Sequence, residues 1–302
     1  MEIRVLRYFL AVVKEQTVSG AAASLHLTQP TLSRQLKELE EELGKKLFVR
    51  GSHKIELTEE GMLLRKRAEQ ILELVSRTES DISSSSESLA GDIYIGAGET
   101  DAIKLIARAA SKMRRDHPLV HFHIYSADGA DVTERLDKGL IDFGVVFTPV
   151  DDNKHNIIKI PYRDEWGILM RRDSELAGQA VVKAEEVRKL PLIISRQIAD
   201  KAPVIKWFGT RLESLDIVST YNLVYNASVM VRENIGYALT LDKLINVSGD
   251  SELCFRRLDP PVYAELHLIW DRYQVMTRSA QRFIEYVKAE IEGEGSGIPQ
   301  SI

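Results

Sequence analysis

Apolar residues over the first eighty positions recur at helical spacing and leave narrow stripes. Leu6, Phe9, Leu10 and Val13 give a first helix a single apolar face. Residues 18–25 predict a short second helix, capped by Thr17 or Ser19. Its Ala21, Ala22 and Ala23 are small enough to admit close packing against the next helix. Thr28 caps a third helix, Pro30 suits its first turn, and Gly44 ends it. Leu32, Leu36, Leu39 and Leu43 line the side of this helix that faces a core. Leu47-Phe48-Val49-Arg50, a polar Gly51-Ser52-His53-Lys54 and Ile55-Glu56-Leu57 then read as a small hairpin with a basic tip. From Thr58 to about Ser83 the pattern is helical again. Leu64, Ala68, Ile71, Val75, Thr78 and Ile82 repeat at alternating steps of four and three, which is a coiled-coil seam. Ser83 to Ser86 and Ala90-Gly91-Asp92 break that helix and read as a hinge.

Beyond Gly91 strands and helices alternate. Residues 93–96, 121–126 and 143–147 predict strands, with helices over 100–115 and 131–139 between them. This βαβαβ order implies a parallel sheet with helices on both faces. Ile157–Pro161 and Trp166–Met170 read as two strands leaving that lobe. A second set follows, with helices at 184–189, 203–213 and 226–234 and strands at 191–195, 217–224 and 237–241. Leu266–Trp270 and a helix over 278–291 close the order, and residues 293–302 read as a loose tail.

The third helix carries the most specific chemistry. Opposite its leucines stand Pro30, Arg34 and Lys37, flanked by Thr31 and Ser33, with Gln29 at the helix start. Such a face presents a forked donor for guanine, a cation for phosphate and short hydroxyls that permit close approach to a DNA major groove. Arg50, His53 and Lys54 on the hairpin reach the adjacent minor groove or the phosphates, as a wing does. The seam at 64–82 seeks a partner, and a second copy of the chain would present two such helices to two half-sites.

The segment SGAAASLHLTQPTLSRQLKELEEELGKKLFVR, followed by LTEEG, resembles the N-terminal signature of LysR-type transcriptional regulators, without a gap over roughly the first sixty residues. The resemblance implies an α/β chain with a helix-rich winged helix-turn-helix at 1–58 and a dimerising linker helix and hinge at 59–90. It implies a two-lobed, Rossmann-like effector domain, similar to periplasmic binding proteins, at 91–292. Lobe I would comprise 91–162 and 268–292, and lobe II 163–267, with the chain crossing near 163 and returning near 267. Residues 293–302 are the tail. Gln29, Pro30, Ser33 and Arg34 correspond to the family's groove-contacting positions, and Arg50 and His53 lie on its wing. Leu64, Ala68, Ile71, Val75 and Ile82 would carry dimerisation. Dimers paired into a tetramer, an interrupted palindrome in double-stranded DNA, contact with RNA polymerase and a small-molecule effector complete the expectation.

In such a fold a ligand belongs in the crevice between lobes, at the carboxyl ends of strands and the amino ends of helices. Gly98-Glu99-Thr100-Asp101 follows the first strand and opens the first helix, where free backbone N–H groups favour an anion. Glu99 and Asp101 oppose one, leaving a cationic or neutral ligand open. Thr148, Ser195, Arg196 and Asn226 face the same crevice on the family's plan, with Arg196 a counter-charge for an acid.

Composition alters this little. The net charge is −5, yet Met1 to Lys66 holds eleven basic and nine acidic residues, so the acidity lies in the remainder. A mildly basic DNA module relies on pairing and specific contacts more than on bulk charge. The lone Cys254 forms no intrachain disulfide, no stretch approaches the about 20 apolar residues of a membrane span, and the N-terminus lacks a cleavage pattern. These features point to a cytoplasmic chain without a membrane partner. Catalytic signatures are missing: Asp101 stands where a dinucleotide fingerprint after Gly96-Ala97-Gly98 needs glycine, and there is no phosphate loop, HExxH or GxSxG. His121 and His123 share a strand face without a third ligand, so neither a metal nor a cofactor is expected. Trp166, Trp207 and Trp270 read as core or interface residues. A sensing module with a vestigial DNA domain and an enzyme with a fused regulatory domain are the two other classes; the intact polar face of 29–37 opposes the first and the lack of a convergent catalytic set the second.

Overall fold

A computed structural model describes residues 1–50, 54–83, 89–147, 149–198 and 203–295. The chain divides into two compact units, Met1–Ser83 and Ser84–Ile302. In the first unit, α1 (Ile3–Glu15), α2 (Val18–Ser24) and α3 (Gln29–Leu43) precede a hairpin of β1 (Phe48–Arg50) and β2 (Ile55–Leu57), and α4 (Glu59–Ser83) ends it. Thr17, not Ser19, caps α2 by accepting the Gly20 N–H at 3.1 Å, and Thr28 caps α3. Gly44 closes α3 in the left-handed region, φ 64°.

The buried stripe of α1 is Val5, Leu6, Phe9 and Val12, rotated from the expected one, with Leu10 and Val13 only partly covered. Leu32, Leu36 and Leu39 complete the same core, while Leu43 lies outside it, 41 % exposed in the last turn. The seam of α4 also needs correction. Ala68 is fully buried in this core, and Leu64 and Ile71 pack against it, so the first half of α4 faces its own unit. A helix entering a winged domain must bury one side there before it has a face left for another chain. Only toward its end does the seam emerge, with Val75 half-buried and Ile82 exposed. Gly61 permits the tight start of α4, since a Cβ there would lie 2.1 Å from the Leu47 carbonyl oxygen.

The second unit opens with β3 (Gly91–Ala97), α5 (Ile103–Asp116), β4 (Val120–Ser126), α6 (Gly129–Asp137) and β5 (Phe143–Phe147). β4, β3 and β5 are parallel, with α5 on one face and α6 on the other. The two strands expected at 157–161 and 166–170 are one, β6 (His155–Arg171). It is followed by β7 (Val181–Lys183), α7 (Ala184–Val187), β8 (Leu192–Ser195), α8 (Pro203–Phe208), β9 (Ile217–Tyr221), α9 (Val224–Arg232) and β10 (Tyr237–Leu241). β11 (Leu253–Asp259), β12 (Tyr263–Asp271) and α10 (Arg278–Gly295) complete the chain. The helix expected over 203–213 stops at Phe208, where Gly209 turns left-handed, and α10 runs into the expected tail.

The sheet order β4-β3-β5-β12-β6-β10-β8-β9 joins two parallel halves through an antiparallel pair, β6 and β12. β6 pairs with β12 up to Glu165, then with β10 and β11 from Trp166 on. Each half keeps its own core: Phe143, Phe283 and the β3 isoleucines in one, Phe208, Leu192 and Ile168 in the other.

Candidate functional site

α3 is built to display one face. Leu32, Leu36 and Leu39 are buried, and Gln29, Pro30, Thr31, Arg34 and Lys37 are exposed on the other side, with Ser33 half-buried. Pro30 in the first turn removes a donor that a helix leaves unsatisfied anyway. The Gln29 amide donates to the Ser33 hydroxyl at 3.2 Å, which holds the first turn's polar side chains together. Arg34 lies 3.6 Å from Glu38 and Lys37 3.3 Å from Glu41; exposed pairs of this kind contribute about 0.3–0.5 kcal/mol and yield readily to a phosphate. Glu40 ties α3 to the wing. Its carboxylate accepts the Leu47 N–H at 2.8 Å and the Lys46 ammonium at 2.7 Å. Burial works to raise its pKa, but these bonds win and hold it below the ordinary carboxylate range. Arg50 ends β1, and His53 lies outside the described residues.

The crevice between the halves of the sheet is bridged from both sides. Asp128 caps α6, accepting the Asp131 N–H at 3.0 Å, and its other oxygen takes Arg196 from the opposite lobe. Arg196 also reaches Asp131 at 2.9 Å, and the Gln197 side-chain oxygen accepts the Gly129 N–H at 2.8 Å. Arg196 therefore serves the lobe contact, where the sequence suggested a counter-charge for ligand. Glu99 accepts the Val224 N–H at the amino end of α9, so the anion seat of that helix holds the chain's own carboxylate. Asp101 pairs with Lys104 at 2.6 Å and lies 3.7 Å from Lys243 across the crevice.

Thr100 is buried, donating to Asp164 while accepting the Ala102 N–H at 3.0 Å. α5 begins at Ile103, so the expected anion seat at 98–101 is a turn whose side chains are already engaged. Asp164 is pushed above the ordinary carboxylate range, first by burial and then by the charges of Asp242 and Asp101, against the opposing hydrogen bond from Thr100 and charge of Lys243. Tyr221 is likewise raised by burial beside Glu99, its hydroxyl donating to the Leu239 carbonyl. Asn226 is exposed and lines no part of the crevice, and Thr148 lies outside the described residues.

Two spaces remain. Beside Glu99, Ser195 and Tyr221 about 40 Å³ is open. Further out, Trp166, Trp207, Phe147, Ser195 and Gly129 border a cavity of about 880 Å³ whose far wall is the 260–265 segment. Trp166 and Trp207 thus belong to a cavity wall, whereas Trp270 packs on Phe143 at 6.3 Å. Asp128 escaped the sequence reading, although an aspartate between a strand and a helix is a cap signal; Gln197, Asp164 and Lys243 meet Gly129, Thr100 and Asp101 only through the tertiary fold. His123 bonds Asp92 at 3.0 Å and stacks on Tyr94, and no metal-holding group occurs among the described residues. Cys254 is buried, which raises its thiol pKa.

A winged helix-turn-helix joined to a two-lobed binding domain defines a ligand-responsive transcriptional regulator. Residues 3–62 match the bacterial regulatory helix-turn-helix proteins of the lysR family, and residues 86–292 match the LysR substrate binding domain. The chain belongs to the LysR family. It is 31 % identical to the transcriptional regulator BsdA of Bacillus subtilis over 204 residues, covering 67 % of this chain and 69 % of that one. It is 32 % identical to IlvY of Escherichia coli over 149 residues, 49 % of this chain and 50 % of that one. Among solved structures, CbnR in complex with its target DNA matches with a TM-score of 0.74 at 19 % identity, covering 96 % of this chain and all of that chain. Full-length BenM matches with a TM-score of 0.54 at 23 % identity, covering 100 % and 99 %. No described helix is long and apolar enough to cross a membrane.

Proposed function

We infer that α3 enters the major groove with Gln29, Pro30, Thr31, Ser33 and Arg34 at base edges and Lys37 at a phosphate, while Arg50 and His53 hold the wing to the backbone. The observation that carries this is the two-sided helix: three buried leucines fix its rotation, and the groove-reading residues are what that rotation exposes. CbnR, which shares the fold, is described with its target DNA, and that supports the reading. The exposed end of the α4 seam, Val75 and Ile82, is the part left for a second copy, and pairing places two recognition helices on an interrupted palindrome. Pairing of dimers into a tetramer, a cytoplasmic location and contact with RNA polymerase follow the family's plan.

A small molecule between the lobes shifts the balance between closed and open arrangements, and the change reaches the winged domains through the assembly. The bridges Arg196–Asp128 and Glu99–Val224 support this, because they are contacts a ligand can replace or reinforce. The test is a footprint on DNA upstream of the chain's own gene and its neighbours, with Arg34→Ala alongside. Two spaced protected half-sites, weakened about 5- to 150-fold in the variant by the loss of about 1–3 kcal/mol, are expected. Equal protection by the variant would remove Arg34 from the groove.

A further inference from the structure

The two ends of the crevice differ in charge, and this selects a ligand. At the inner end Glu99 lines a space of about 40 Å³, room for roughly one water, while Asp101 and Asp242 beyond it are paired with Lys104 and Lys243. The α9 amino end there already holds Glu99. A ligand carboxylate entering would meet like charge and find its best donor taken.

The outer cavity has the opposite character. Trp166, Trp207, Phe147 and Pro260 supply flat apolar wall, the kind of surface that takes an aromatic ring. Two cations, Arg163 and Lys206, stand on the same lining, and among the described residues neither forms an ion pair. Arg163 is exposed, 6.0 Å from the Tyr263 ring, and a planar fork of this kind takes a carboxylate in two bonds. Among the described residues the one carboxylate on the lining is Glu265, the cross-strand neighbour of Arg163, and it is bonded to Lys159 at 2.9 Å.

We propose that the effector is an aromatic acid, its ring between Trp166 and Trp207 and its carboxylate on Arg163 and Lys206, in the outer cavity and not at the Glu99 end. This rests on the reading that the effector binds between the lobes.

The test is titration calorimetry on the full-length chain with three probes of one shape: 1-naphthoate, 1-naphthamide and 1-naphthylmethylammonium. The acid is expected to bind at least about tenfold tighter than the amide, the effect of one charge-assisted hydrogen bond. Arg163→Gln should bring the acid down to the amide's level and leave the amide unchanged, with a smaller loss in Lys206→Gln. Ala130→Trp, at an exposed cavity-lining position on α6, should block every probe by filling the space. Equal binding of acid and amide, or preference for the ammonium, blocked in Ala130→Trp, overturns the acid assignment and leaves the crevice reading intact. Binding of the acid untouched by Ala130→Trp overturns the crevice reading itself. Failure of all three probes to bind overturns both.

Discussion

Arg196→Met isolates what holds the lobes together. Methionine keeps much of the aliphatic stem and removes the guanidinium that bonds Asp128 and Asp131. Asp128 is almost fully buried, which strengthens the pair, but Arg196 is 52 % exposed, which screens it. For the almost fully buried Asp128, the loss of this charged donor, discounted toward the value of an exposed pair, is about 1–2 kcal/mol. Asp128 still caps α6 through the Asp131 N–H, so the lobe itself remains folded. The whole loss then falls on closure and raises the open population about 5- to 30-fold. Two backbone amides report it. Gly129 donates to Gln197 and Val224 to Glu99, each to a side chain of the opposite lobe, and helix-end N–H groups have no partner in their own helix. Hydrogen exchange at these two positions should accelerate by that factor, while amides inside β3 and β8 keep their wild-type protection. Unchanged exchange at Gly129 would show that Arg196 does not hold the lobes closed.

Other outcomes follow from the same structure. Phe9→Ala, which empties a fully buried site beside Phe48, should cost the N-terminal unit about 3–5 kcal/mol. All three tryptophans lie beyond residue 165, so the far-ultraviolet circular dichroism transition should move to lower urea while tryptophan fluorescence, which reports the other unit, does not. Asp164, with a folded pKa above its unfolded one, binds its proton more tightly when folded, so its contribution falls as pH rises through the ordinary carboxylate range and up to the folded pKa. Asp164→Asn can still accept from Thr100, and its gain in melting temperature over wild type should be large at pH 8 and vanish toward pH 3. Ile82→Glu, at a position 80 % exposed, should weaken self-association in sedimentation without shifting the melting of either unit.

The DNA-binding half was legible because local signals decide it. Thr17, Thr28, Gly44 and Thr58 cap or end their helices through their own neighbours, and the α3 leucines define a face without tertiary help. Ala68 misled because a heptad pattern gives the apolar stripe but not which body covers it, and here the chain's own wing and α1 do so first. The crevice was harder. Glu99, Thr100 and Asp101 follow the first strand as read, but the helix opens only at Ile103 and their partners Val224, Asp164 and Lys243 come from far along the chain. Pairing over such distances leaves no periodic trace, so Arg196 read as free when it belonged to Asp128. β7 and β11 escaped for a similar reason: Val181–Lys183 is three residues long, and Arg256 and Arg257 interrupt the apolar run of β11.

The passage of β6 and β12 between the lobes sets the mechanics of the effector domain. A loop hinge bends in any direction and is open to proteases; a two-stranded ladder resists stretching and shear and gives way mainly in torsion. The weak point in this shaft is local. Between the Lys159–His267 and Arg163–Glu265 pairs β6 takes four residue steps against two on β12, and Pro161, which has no N–H to donate, lies within the surplus. A rotation of the lobes is expected to concentrate there about one axis, so that ligands of different shape would drive them along the same arc and differ only in how far. Such a shaft would offer a single angle as output, which suits graded control better than a choice among several states.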